Sequence, residues 1–153
     1  MRWLELRLPP PVVGALVALV MWLVARAIPS LDFDLPARGA VVVLIATTGF
    51  AIGVAAFFGF RKAKTTVNPL TPEATSALVL HGVYRRTRNP MYLGMLVILI
   101  AWGLWLANTA GFLVLPLFIA YLNRFQIVPE ERALQARFGA EFERYRRSVR
   151  RWL

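Results

Sequence analysis

The chain contains no cysteine and a single histidine, His81. The first absence excludes disulfides, thiolate metal ligands and S-acylation, and the second argues against a metal site. Acidic residues are also scarce, 8 against 18 Lys and Arg, which leaves a net charge of +10. The polar and apolar alternation of half-buried strands is missing as well, so neither a sandwich nor a membrane barrel is expected.

What the chain does have is apolar length. It has 153 residues, 58% of them hydrophobic, with a mean hydropathy of +0.58. That is too apolar for a soluble domain of this size and too short for several domains. Four runs stand out: Val12 to Ile28, Gly39 to Phe60, Met91 to Ala107 and Gly111 to Val128. Each approaches the roughly 20 residues that a helix needs to cross the hydrocarbon core. The expected fold is all-α, a polytopic membrane bundle of four transmembrane helices followed by a cytoplasmic amphipathic helix. It forms one domain, residues 1–60 being an N-terminal helical hairpin and residues 61–153 the half in which polar residues cluster.

The charges set the expected orientation. All the basic residues except Arg26 and Arg38, and all the acidic ones except Asp32 and Asp34, fall on one side of the four runs. The positive-inside rule makes that side cytoplasmic and places both termini there. Basic residues flanking apolar spans are explained by topology and by anionic membrane lipids, so nucleic acid is not an expected partner. The first run, with Ala25-Arg26-Ala27, resembles a signal peptide with a cleavage site. Pro9-Pro10-Pro11 and the later spans favour a retained helix.

Gly49 and Gly53 stand at GxxxG spacing, which suits close packing of helices within the chain better than a dimer interface. The long polar connection from Arg61 to Asn89 is punctuated by Asn68-Pro69, Thr71-Pro72 and His81-Gly82, and such a loop is expected to bind something or to be disordered. A tight turn near Asn108-Thr109 should make the last two spans an antiparallel hairpin. After it, Pro129-Glu130-Glu131 should begin a new segment, with Leu134, Phe138, Phe142, Tyr145, Val149 and Trp152 forming one apolar helical stripe. Gly139 should interrupt that helix. Beyond Gly139 a plain surface anchor and a role at a site are both open.

Two clusters carry chemical potential. In the first, Asn89 is a suitable N-cap, Pro90 suits the first helical position, and Arg88 beside the free amides makes a site for a carboxylate or phosphate. Tyr84 and Tyr92 offer rings or hydroxyls, and Gly94 permits close backbone approach. A capped helix with a positive-inside cluster explains the same residues without a ligand. The second cluster is Asn123-Arg124-Phe-Gln126-Ile-Val-Pro-Glu130-Glu131, which the hairpin returns to the same membrane surface. Ionisable groups at that depth are functional candidates, although snorkelling of Arg124 and dipole complementation by the glutamates also account for them.

The motifs Gly82-x-Tyr84-x-x-x-Arg88-Asn89-Pro90-x-Tyr92-x-Gly94 and, further on, Glu130-Glu131-x-x-Leu134-x-x-x-Phe138-Gly139-x-x-Phe142-x-x-Tyr145 resemble those of the isoprenylcysteine carboxyl methyltransferase and phospholipid methyltransferase families. The likeness covers roughly Leu80 to Leu153. It implies a membrane-embedded methyltransferase using S-adenosylmethionine, with His81, Gly82, Val83, Tyr84, Arg88, Asn89, Pro90, Tyr92, Gly94, Glu130 and Glu131 at the cofactor. Arg124, Glu130 and Glu131 would serve catalysis, Arg124 facing the acceptor. Asn89 stands where many members have His, and Phe142 where Tyr is common.

Methyl transfer from a sulfonium needs in-line approach, positioning and exclusion of water, not a metal or thiol. The expected acceptor is a lipid or prenylated small molecule, foremost an isoprenylcysteine-like carboxylate. A phospholipid amine and a thiol remain alternatives. Membrane sterol reductases resemble the Arg-x-Pro-x-Tyr segment and use a nicotinamide cofactor, so an NADPH-dependent reductase is a second reading and a noncatalytic scaffold a third. Compact loops and the lack of eukaryotic sorting signals point to a prokaryotic plasma membrane. The oligomeric state is left open.

Overall fold

The computed structural model describes residues 5–63 and 75–153, and every regular element among them is helical. Asn68-Pro69 and Thr71-Pro72 lie outside the described residues, as do Arg2 and Lys64. Seven α-helices follow one another: α1 (Pro10–Ala27), α2 (Arg38–Lys62), α3 (Pro90–Leu106), α4 (Thr109–Phe112), α5 (Leu115–Leu122), α6 (Val128–Phe138) and α7 (Ala140–Ser148). A π turn, Asn123–Ile127, links α5 to α6. A 3₁₀ turn, Gly82–Arg85, precedes α3.

Among the described residues, three helical stretches are long and apolar enough to cross a membrane: α1, α2, and the 30-residue path Thr109–Phe138 that runs through α4, α5 and α6. α3, with 17 residues, is shorter but strongly apolar. The chain is thus an integral membrane helix bundle. One side of α2 exposes large hydrophobic side chains, among them Val43, Leu44, Phe50 and Phe58, as a helix facing lipid requires.

Glycine governs the contact of α2 with α3. A Cβ on Gly94 would lie 2.6 Å from the carbonyl oxygen of Gly49, and one on Gly49 would lie 2.7 Å from that of Gly94. The two backbones touch where side chains are lacking, so the Gly49 motif packs within the chain. On the other side of α3, α1 and α5 join it in a core of Val13, Met21, Tyr92, Leu99, Phe118, Leu122 and Ile127. The indole of Trp102 on α3 donates to the carbonyl of Ala18 on α1 at 3.0 Å.

The expected turn near Asn108 is present and is tied to the α1–α2 connection. Asn108 is completely buried; its amide donates to Ile28 O at 2.8 Å and to Asp32 Oδ1 at 2.6 Å, while its Oδ1 accepts from Ala110 N. At the opposite end, Pro129 does not open a separate segment. The helical path runs unbroken from α5 through the π turn, and Pro129 follows that turn directly, in the first turn of α6. The break comes at Gly139, whose φ of +49° ends α6 and redirects α7.

Candidate active site

The 3₁₀ turn brings Tyr84 under the end of α2. Gly59 makes room for it, since a Cβ there would lie 3.2 Å from the Tyr84 ring, and Phe60 meets that ring edge-on with centroids 5.4 Å apart. Burial raises the Tyr84 phenol above its ordinary range. Its carbonyl accepts a 2.8 Å hydrogen bond from the Tyr145 hydroxyl of α7, also raised by burial.

Arg88 is the hub. Its Nη2 lies 2.7 Å from Glu131 Oε1, and its Nη1 donates to the carbonyls of Arg146 and Val149. Arg151 completes the carboxylate's shell, with Nη2 2.6 Å from Glu131 Oε2. The C-terminal segment after α7 is further held by Arg88 N to Arg150 O at 2.9 Å, Asn89 Nδ2 to Arg151 O at 2.9 Å and Thr87 Oγ1 to Arg151 O at 3.1 Å. Asn89 therefore occupies the N-cap position of α3 without capping it: its side chain is turned to the tail.

One helical turn into α3, the Tyr92 hydroxyl donates to Glu130 Oε1, and Gln126 Nε2 donates to the same oxygen at 2.8 Å. The π turn supplies Gln126, one helical turn before Glu130. Such turns recur at functional sites.

These groups line a cavity of about 380 Å³, at the small end of the range typical of ligand sites. Tyr84, Arg88, Asn89, Pro90, Tyr92, Glu130 and Glu131 all face it, joined by Phe142 and Tyr145 from α7. The stretch beyond Gly139 is therefore more than a surface anchor.

Other expected site residues stand elsewhere. His81 and Gly82 are exposed, Gly82 having the φ of +60° that a glycine tolerates. Val83 packs with Ala56, Val79 and Tyr84. Gly94 is buried against α2, where its missing side chain lets the two helices touch, and it does not line the cavity. Arg124 is half exposed and does not line the cavity; its Nη1 is bonded to Glu5 Oε1 at 2.8 Å.

Sequence reasoning missed other walls. Pro9, Pro10 and Pro11, at the start of the N-terminal hairpin, line the cavity. Thr75, Ala77, Leu78 and Val79 contribute from the polar connection, and Met95 and Leu134 from α3 and α6. Arg151 was legible only as one more basic residue in a basic tail.

Residues 37–141 match the profile of the family described as phospholipid methyltransferase. The chain belongs to that family. Membership makes it a membrane methyltransferase with lipid-like substrates, and the matched region holds Arg88, Tyr92, Glu130 and Glu131. The chain is also similar to an uncharacterized protein of Haemophilus influenzae, 51% identical over 63 residues, which are 41% of this chain and 100% of that protein. No solved structure matches the chain.

Proposed function

We propose that the chain transfers a methyl group from S-adenosylmethionine to an amine on a lipid-like acceptor, at the cytoplasmic end of a four-span bundle. In this reading α3, at about 26 Å, is the third span, and both termini face the cytoplasm. The bacterial relative and the compact loops support a prokaryotic plasma membrane.

The observation that carries the cofactor reading is the donor set of the cavity. Arg88, about nine-tenths buried, brings a positive charge to the cavity wall at the start of α3, with Asn89 beside it. The rings of Tyr84, Tyr92, Phe142 and Tyr145, together with the carboxylate of Glu130, suit a cation such as a sulfonium. S-adenosylmethionine, when bound, supplies an electrophilic methyl group. Its amino-acid end would lie toward the positive charge of Arg88, and the aromatic rings would exclude water from the reacting atoms.

The charge distribution favours an amine over the isoprenylcysteine-like carboxylate. Both terminal nitrogens of Arg88 are committed to Glu131 and to backbone carbonyls, and Arg124 is held outside the cavity by Glu5. No uncommitted guanidinium end remains among the described lining residues to orient a carboxylate acceptor. Glu130, whose hydrogen bonds from Tyr92 and Gln126 both fall on Oε1, retains Oε2 to take the proton an amine must lose before it attacks.

The test is transfer of labelled methyl from S-adenosylmethionine to alkyl amines and alkyl carboxylates by the purified protein, with NADPH oxidation assayed in parallel. Methylated amine, with kcat about a hundredfold lower in Glu130→Gln, supports the reading. Methyl ester as product, or reduction with NADPH and no transfer, contradicts it.

A further inference from the structure

Pro9, Pro10 and Pro11 stand outside the part of the chain that matches the family, residues 37–141, yet all three line the cavity. Pro10 is almost completely buried, and the adjoining Val13 packs in the core that contains Tyr92, with Met95 against it. Met91, Met95 and Leu134 add apolar lining from α3 and α6. The polar groups Arg88, Asn89, Glu130 and Glu131 come instead from the ends of α3 and α6.

The proline wall is anchored by the residues just before it. Glu5 bridges two cations: its Oε1 lies 2.8 Å from Arg124 Nη1 and its Oε2 is bonded to Arg132 Nη2. Leu6, with a φ of +57°, donates its N–H to Phe125 O at 3.0 Å. Strain of this kind in a residue with a side chain persists where surrounding contacts fix it. The clamp thus ties the residues just before the prolines to the π turn and to α6, the elements that present Gln126 and Glu130.

We infer that Pro9–Pro11 form the wall that selects the apolar part of the acceptor, and that Glu5 is a positioning residue that sets this wall through Arg124 and Arg132. The inference rests on the methyltransferase reading of the cavity. Three consecutive prolines suit the task because their φ angles are fixed, so the wall keeps its shape at little entropic cost.

The test uses the full chain in lipid nanodiscs with labelled S-adenosylmethionine and a panel of octyl and hexadecyl amines, carboxylates and thiols. Pro11→Phe narrows the cavity, and Glu5→Gln loosens the clamp, with Glu5→Asp as the conservative control. For whichever head group the unmodified chain accepts, Pro11→Phe should lower kcat/KM for the hexadecyl compound about tenfold more than for the octyl one. Affinity for S-adenosylhomocysteine should be unchanged. Glu5→Gln should raise the acceptor KM with little change in kcat, and Glu5→Asp should restore it in part.

An equal loss for both chain lengths, or a parallel loss of S-adenosylhomocysteine affinity, would overturn the assignment while leaving the methyltransferase reading intact. Failure of the unmodified chain to bind S-adenosylhomocysteine or to methylate any member of the panel would instead refute that reading, and the wall assignment with it.

Discussion

Arg88 and Glu131 meet at 2.7 Å although they are 43 positions apart, and the pair joins the start of α3 to the start of α6 at the edge of the cavity. Because Arg151 binds the other carboxylate oxygen and Arg88 also binds two carbonyls near the C-terminus, this one contact couples three parts of the chain.

Removing the charge at its centre should therefore cost stability. Arg88 is about nine-tenths buried, and an unpaired buried guanidinium is expensive. Arg88→Ala combined with Glu131→Ala should be less destabilising than the sum of the two single changes, with a coupling of about 2 kcal/mol. Thermal unfolding of the four species in detergent reads this directly; additive losses would show that the pair is not coupled.

The glycines give a sharper structural contrast. Gly94→Ala forces a methyl group against the Gly49 backbone and should destabilise the bundle by about 1–3 kcal/mol. Gly53→Ala, whose Cβ would have nothing within 4 Å, should be neutral or slightly stabilising. Thermal aggregation in detergent distinguishes them, and equal effects would contradict the α2–α3 contact.

At the other end of the bundle, Asn108→Ala leaves Ile28 O, Asp32 and Ala110 N without their buried partner. A loss of about 2 kcal/mol is expected. Denaturant unfolding should show the change in midpoint.

The Glu5 clamp should depend on pH. The hydrogen bond from Arg124, aided by the one from Arg132, holds the Glu5 carboxyl below its ordinary value of 4.5. A lowered folded-state pKa means that the clamp contributes fully above that ordinary value and is lost as pH falls through the lowered one. The protection factor of the Leu6 amide in hydrogen exchange should be flat at neutral pH and collapse only at acidic pH. Loss of protection near neutrality would point to a different anchor.

The helices and their order were legible because long apolar runs have few alternatives in lipid. The residues of the site were legible in part, for a motif names side chains without saying where they turn. Tyr84, Arg88, Tyr92, Glu130 and Glu131 face one cavity, whereas Gly94 answers to α2 and Arg124 to Glu5. Neither diversion could be read from spacing, because each depends on a partner distant in sequence. The same holds for Pro9–Pro11 and Arg151, whose places follow from contacts with α3 and α6 and not from any local pattern.

The central claim is that this cavity holds the methyl donor, and the most direct measurement is calorimetric titration of the purified protein with S-adenosylhomocysteine, repeated with Glu131→Gln. Saturable binding that the variant weakens about tenfold or more is the predicted result; no binding by the unmodified protein, or binding that the variant leaves unchanged, would contradict the account.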